Sequence, residues 1–588
     1  MKRTICVLVG VTSLLQAVLL PGARAAQART QPAETRIPSV ATFEHGAVAA
    51  DHPVASQAGA QMLKLGGNAV DAAVATSFVL SVVRPQSCGL GGGGFMVISL
   101  PDDPTHGRVV TAINYRETAP AAATPDMFER TEIPNASTRS GLAVAVPGTV
   151  AGLLHALETY GTLDRATVLQ PAIDAAVGGY DADETFAASV AAAIGKLGDE
   201  PHATHPSLWN DVLSRGAVTP GQRVRNLNQA SVLAGIAAHG REGFYSGRVA
   251  RQIVDTVRKR GGVLTLDDLA NYKVANVQPL EFGFGEWTFL GMPPPSSGGV
   301  TIAETLGILE RTTYNKANTT RVERTHLLVE SLKHAFADRS VWLADPAFVD
   351  VPVEMLTSDT YLSIRAAVIN PTHTLTPSNY GTRYEGAGLR ALPDDSGTSH
   401  LSVIDQWGGA VACTETINLS FGSMIAVNGF CLNNEMDDFT TIRGKANAFG
   451  LVQSDSNLPE PGKRPLSSMS PTIVLDADGN VVAVAGASGG PRIITGTLQV
   501  LLNVLDRGMD AEHAVASPRL HHQWSPDELR LEPGLRGEAD AAFREQLKAL
   551  GHKLGTIKSV GVVQLIVRDK EGIHAACDPR KGGTPAGH

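Results

Sequence analysis

The sequence predicts a mixed α+β protein organised around an antiparallel hairpin. Residues 398–417 alternate polar and apolar side chains on either side of a turn at 405–409, the period-two signature of half-buried strands. Near the start of the chain a short apolar run leads into two alanine-rich helical stretches. From about 149 to 390, amphipathic helices alternate with short strands, and no internal repeat is visible.

The first 25 residues read as a secretory signal peptide. Lys2 and Arg3 form a basic start, Thr4 to Leu20 is almost wholly apolar, Pro21 and Gly22 break it, and Ala23-Arg24-Ala25 is a small-x-small cleavage pattern. The apolar run is short for a bilayer span, which needs ~20 residues, so cleavage is favoured over a membrane anchor. The mature protein is then periplasmic or secreted, with no membrane partner once the signal is removed. Residues 26–45 are rich in Ala, Gln, Thr and Pro and read as loose. A strand at 47–50 precedes a helix at 53–65, which Gly66-Gly67 stops; a second helix spans 70–82. Gly89, Gly91 and Gly94 match G-x-G-x-x-G, but a helix precedes them and a strand (95–99) follows. That is the reverse of a dinucleotide site, so the segment reads as a tight packing turn. Helices are expected at 151–160 and 326–342. Residues 444–462 have no periodicity and read as a long functional loop.

With 43% hydrophobic and 18% charged residues, the composition is that of an ordinary globular chain. Net charge is −9 without a basic stripe, which makes nucleic acid and anionic membranes poor partners. A small charged substrate suits this balance. The five cysteines have no CxxC spacing; neither a zinc site nor a disulfide framework is indicated, and a single bridge stays open. His521-His522 reads as structural, since adjacent side chains diverge.

Thr398 carries the sharpest chemical signal. A threonine hydroxyl is a poor nucleophile without a neighbouring base, and its own α-amine can serve only if the Gly397–Thr398 bond is cut. The expectation is a proenzyme that cleaves itself there. With the turn centred near residues 407–408, Thr398 faces residues 416–419, and Thr416 and Asn418 share one strand face. The rival is Ser488 in Gly486-Ala487-Ser488-Gly489-Gly490, a G-x-S-x-G turn between a strand (480–485) and a helix (491–505). Its partners would be Asp506 or Asp510 with His513 or His521. In the first reading the amides of Gly489 and Gly490, near that helix start, suit an oxyanion hole instead. Arg116, the acids of Asn433–Phe439 and the Ser467-Ser468 pair are each unremarkable alone.

Taken together these segments resemble the γ-glutamyltranspeptidases (glutathione hydrolases) of the N-terminal-nucleophile superfamily. The matching stretches are GLGGGGF (89–95), NYRETAP (114–120), GTSHLSVID (397–405), Thr416–Asn418, LNNEMDDF (432–439), KRPLSSMSP (463–471), ASGGPRII (487–494) and PRLHHQW (518–524). The resemblance implies a four-layer αββα sandwich and autocatalytic cleavage. A large subunit, 26–397, and a small subunit, 398–588, would remain associated as a heterodimer. It implies no metal or organic cofactor. By position, Thr398 matches the nucleophile and Thr416 its supporting hydroxyl. Arg116, Ser467 and Ser468 match the holders of the substrate α-carboxylate; Asn418, Glu435 and Asp438 match those of the α-amino group; Gly489 and Gly490 match the oxyanion hole. Residues 444–462 match a lid, in which Phe449 stands where some bacterial members carry tyrosine. The implied substrates are glutathione and other γ-glutamyl compounds, with amino-acid or dipeptide acceptors. A cephalosporin or glutaryl acylase of the same superfamily and a non-enzymatic binder of γ-glutamyl compounds are the remaining alternatives.

Overall fold

Alternation along the hairpin sorts its side chains into two cores. In the computed structural model, which describes Met1 and residues 39–216, 218–381, 396–534 and 538–588, Leu401, Val403, Val411 and Cys413 enter one hydrophobic cluster. Ile404, Ala410 and Ala412 enter the other. Both faces of these strands are therefore buried, one under helices and one against a second sheet. The expected signal peptide lies outside the described residues.

The strands of the two large sheets are, in chain order, β1 (Ser39–Phe43), β2 (Ala47–Ala50), β3 (Gly93–Asp103), β4 (Gly107–Tyr115), β5 (Ala275–Val277), β6 (Leu280–Phe284), β7 (Trp287–Gly291), β8 (Ser396–Ile404), β9 (Ala410–Leu419), β10 (Thr472–Leu475), β11 (Val481–Ser488), β12 (Val562–Asp569), β13 (Gly572–Cys577) and β14 (Ala586–Gly587). One sheet has the order β14-β2-β8-β9-β3-β4-β5 and the other β1-β13-β12-β11-β10-β7-β6. Helices α1 (Pro53–Lys64) and α2 (Ala69–Val83) lie over the first sheet. Helices α3 (Gly298–Glu310), α4 (Arg321–Trp342) and α5 (Arg492–Leu505) form the layer on the second. The result is the αββα sandwich.

Helix α2 is buried along its whole length, so it carries no polar stripe. Its N-terminus is set by a capping box: the Asn68 side chain accepts from the amides of Val70 and Asp71 while Asp71 accepts from the Asn68 amide. The hairpin turn docks there. Asp405 Oδ2 accepts from the Ala69 amide at 2.8 Å and Oδ1 from the Trp407 and Gly409 amides at 2.9 and 2.7 Å. One carboxylate thus closes the turn and caps the helix behind it.

Between the sheets runs a polar seam. His400 contacts Thr414 Oγ1 at 2.8 Å and Ser402 Oγ at 3.1 Å, and Ser402 donates to main-chain carbonyls of the opposite sheet at Val484 and Gln564. Burial pulls the His400 imidazole down to about 3, so it is neutral at pH 7.

The sequence-based boundaries hold within a few residues, with two corrections. β8 begins at Ser396 and not at Thr398. Within the stretch read as loose, Ser39–Phe43 is an edge strand paired with Ile573–Cys577. Cys88, Cys413, Cys431 and Cys577 are free and buried.

Candidate active site

The hairpin is irregular at one point. Gly397 pairs with Asn418, Thr398 with Thr416, and the register shifts between them. This bulge leaves Ile417 unmatched and puts Asn418 at φ 74°. Bulges re-aim side chains, and they concentrate beside functional sites. Here the bulge turns Thr398, Thr416 and Asn418 toward one cleft.

Proton bookkeeping fixes how the hydroxyls are arranged. Thr416 Oγ1 lies 2.6 Å from the Gly397 carbonyl oxygen, which can only accept, so Thr416 donates its single hydrogen there. The Asn418 amide donates to Thr416 Oγ1 at 2.8 Å. The 3.1 Å contact between the two threonine hydroxyls is then donated by Thr398. Thr416 thus orients the Thr398 hydroxyl and polarises the carbonyl of the bond before it. The strand is also held from behind: Lys581 donates to the Thr398 carbonyl at 2.8 Å and pairs with Asp51 at 2.9 Å. Both are buried. Lys581 is a site residue the sequence did not flag; nothing in its Pro-Arg-Lys-Gly-Gly surroundings distinguishes it.

The cleft is narrow and is lined by Arg116, Arg339, Thr398, Thr416, Asn418, Glu435, Asp438, Phe449, Ser467, Ser468 and Gly490 among others. Nearly every residue singled out from sequence converges here; Gly489 precedes the lining residue Gly490. Arg116 is buried and fully engaged. Its Nη1 donates to Glu435 Oε1, its Nη2 to Asp438 Oδ2 at 2.5 Å and its Nε to the Pro465 carbonyl at 3.2 Å. Burial pushes the Glu435 and Asp438 carboxyls up, and the Arg116 charge opposes that push. Glu435 Oε2 is buried without a hydrogen-bond partner among the described residues. A second buried guanidinium, Arg339 on α4, donates from Nε to Ser297 Oγ at 2.9 Å and from Nη2 to Ser468 Oγ at 3.4 Å. Burial lowers it to about 10 with Asp438 opposing, so it stays charged at neutral pH. Sequence reasoning missed Arg339 because a lone arginine on an amphipathic helix is ordinarily solvated.

Two glycines admit close approaches. A Cβ on Gly92 would lie 2.0 Å from the Thr416 carbonyl oxygen, so the glycine run lets backbone press against the Thr398 hairpin. This agrees with a packing turn. Gly490, at φ 59° just before α5, has the Phe449 ring where a Cβ would sit, 2.7 Å from Cδ1. Phe449 is itself buried, and the 444–462 segment runs over this edge of the cleft through Phe449 and Leu451.

The serine rival does not assemble. The strand–turn–helix context around Ser488 is real, but its Oγ is buried with no partner among the described residues. His521 is committed to Thr495 and Gln523, and exposed His513 is held by Asp510, which caps its helix by accepting from the His513 amide and contacts its ring at 2.8 Å. His522 accepts from the Trp524 amide and faces Asp527, a structural arrangement. Among the described residues, His326, Glu330 and His552 are clustered closely enough to share an ion. The histidines already hydrogen-bond each other at 2.8 Å, and the Lys333 ammonium pairs with Glu330 at 3.3 Å.

A protein-family model described as Gamma-glutamyltranspeptidase matches residues 55–588. The glutathione hydrolase proenzyme of Escherichia coli (strain K12) is 39% identical over 549 residues, 91% of this chain and 90% of that one. A cephalosporin acylase structure from Bacillus halodurans superposes with a TM-score of 0.81 at 28% identity, covering 96% of this chain and 98% of the other. The γ-glutamyltranspeptidase structure from Helicobacter pylori gives 0.52 at 33% identity over 57% of this chain and 96% of that chain.

Proposed function

The chain belongs to the gamma-glutamyltranspeptidase family, and on that premise we propose a γ-glutamyl hydrolase and transferase whose nucleophile is Thr398. It is made as a precursor. The Thr398 hydroxyl attacks the Gly397 carbonyl carbon, the acyl group passes from nitrogen to oxygen, and water cleaves the ester. This leaves a Gly397 carboxylate and a free Thr398 amine. The large subunit is 26–397 and the small one 398–588, held together as a heterodimer. The word proenzyme in the relatives' names supports this reading.

In turnover the Thr398 hydroxyl attacks the γ-carbonyl of glutathione or another γ-glutamyl amide. The Thr398 amine takes the proton and returns it to the departing amine. The amides of Gly489 and Gly490 face the oxyanion, and losing one such donor typically costs ~3 kcal/mol. Water, or the amine of an amino acid or dipeptide, then resolves the ester. A γ-glutamyl group carries a carboxylate and an ammonium on one carbon, so it needs cationic and anionic groups side by side. Arg116, Ser467 and Ser468 serve the carboxylate; Asn418, Glu435 and Asp438 serve the ammonium. Residues 444–462 act as a lid in which Phe449 contributes an apolar edge without a hydroxyl. A signal peptide over residues 1–25 sends the protein to the periplasm or outside; no helix of the described residues is long and apolar enough to cross a membrane.

The observation that carries the proposal is the contact set at the bulge: Thr398 hydroxyl to Thr416, and Thr416 to the carbonyl of Gly397. A denaturing gel with N-terminal sequencing of the smaller band tests it, and that band should begin at Thr398. A single unbroken polypeptide that hydrolyses γ-glutamyl-p-nitroanilide overturns it. The likeness to a cephalosporin acylase structure favours one second reading, an acylase for glutaryl groups. Those groups lack the ammonium, so faster cleavage of glutaryl-p-nitroanilide than of the γ-glutamyl amide would select it.

A further inference from the structure

The 518–524 segment is one of the stretches that carry the family resemblance, yet none of its residues lines the Thr398 cleft. Pro518, Arg519 and Leu520 instead line a separate cavity of about 310 Å³, within the size range of small-molecule sites. Its other walls come from the first turns of α4, the last turns of α5 and Phe543 of the helix Glu538–Ala549. No residue lines both this cavity and the cleft.

The charge of the walls is one-sided. Arg321, Arg324, Arg507 and Arg519 line the cavity, and no acid does. Two of the four are already paired: Arg321 with Asp540 at 3.0 Å and Arg519 with Asp578 at 2.6 Å. Arg324 and Arg507 form no ion pair among the described residues. Arg507 Nη1 donates to the neutral Asn503 Oδ1 at 2.9 Å. Both guanidiniums act on the buried phenol of Tyr314, as does the Asp506 carboxylate, but Asp506 does not line the cavity.

Two donors are also orphaned here. The Nε atoms of Arg324 and Arg519 are buried without a hydrogen-bond partner among the described residues, and the whole Arg519 side chain is buried. Buried polar groups are nearly always satisfied, so two unmet guanidinium donors on one cavity call for an acceptor.

We propose that this cavity binds a small phosphate monoester with an apolar body. A phosphate head brings nearly two negative charges and three acceptor oxygens to one point, and the planar forks of two unpaired arginines suit it. A carboxylate brings only one charge. Leu328, Leu520 and Phe543 supply apolar wall for the rest of the ligand. The assignment is independent of the reading of the Thr398 cleft.

Calorimetric titration of the purified protein at fixed ionic strength tests it, with phenyl phosphate, inorganic phosphate and benzoate as probes. Phenyl phosphate should bind saturably, one per chain, more tightly than inorganic phosphate and at least ~10-fold more tightly than benzoate, which lacks the second charge. Arg324→Gln should weaken phenyl phosphate by roughly 10- to 100-fold, the range for a hydrogen bond to a charged group. Arg507→Gln, at a more exposed side chain, should weaken it less, and Arg324→Lys should keep part of the affinity. Should Arg324→Gln fail to fold, Arg507→Gln decides by the same comparison. Phenyl phosphate that binds the glutamine variants as well as wild type sits elsewhere and overturns the assignment. Benzoate binding as tightly as phenyl phosphate, or no saturable binding at millimolar concentration, overturns it too.

Discussion

Replacing Thr416 by valine keeps the shape of the side chain and removes one oxygen at which three hydrogen bonds meet. The consequences divide between stability and rate. The Asn418 amide and the Gly397 carbonyl each lose a buried partner, at ~1–3 kcal/mol apiece; a core of this size absorbs that. The rate effect is larger. During self-cleavage the Gly397 carbonyl oxygen becomes an oxyanion, and the Thr416 hydroxyl, 2.6 Å away, is aimed at it before any chemistry begins. Losing one such donor slows reactions ~10²–10³-fold. Part of this is returned because the carbonyl is also less stable in the ground state, so the lower end of that range is expected. Fresh precursor of Thr416→Val should convert ~100-fold more slowly than wild type on a denaturing gel time course. Thr416→Ser, which keeps the oxygen, should convert nearly normally. A valine variant that matures at the wild-type rate would show that Thr416 does not act on the Gly397 carbonyl.

Thr398→Ala should remain one uncut chain without turnover; a cut and active variant sinks the nucleophile assignment. Gly490→Ala must place a methyl against the Phe449 ring, 2.7 Å from Cδ1, at a φ of 59°. It should lower kcat on γ-glutamyl-p-nitroanilide ~100-fold by shifting the oxyanion donors, and undiminished kcat argues against their role. Stability should fall in acid through His400, whose folded value of about 3 lies below its ordinary 6.5. The unfolded chain binds the proton first, so this contribution is complete above pH 6.5 and is lost as pH drops toward 3. Between about pH 4 and 5, His400→Gln should flatten the slope of unfolding free energy by ~1.4 kcal/mol per pH unit; an unchanged slope in urea titrations would exclude it.

Much of this was legible because the hairpin is local. Strand pairing across a short turn follows from alternation alone, which is why the sequence itself sets Thr398 opposite residues 416–419. The bulge was not legible, because it depends on Gly397 fitting against the Leu419 carbonyl and on neighbours far away in sequence. β1 was hidden for a related reason: its partner lies more than 500 residues downstream, and its composition resembles a linker. The acids and arginine of the cleft were visible as residue types assigned to opposite ends of a zwitterion. That Arg116 is already paired with both acids is a fact of geometry, as is the second guanidinium. The Ser488 motif shows the converse, a correct local pattern with no tertiary partners to give it chemistry.

The strand order has a further consequence. In the sheet that bears Thr398, β8 and β9 are flanked on both sides by β2 and β3, and the opposing sheet also mixes strands from before and after residue 397. A break at that position is therefore a nick inside a shared lattice of main-chain hydrogen bonds. Neither piece owns a complete sheet or core, so separating them would require unfolding both, and the stability of the nicked protein would then depend on its concentration as that of an intact chain does not.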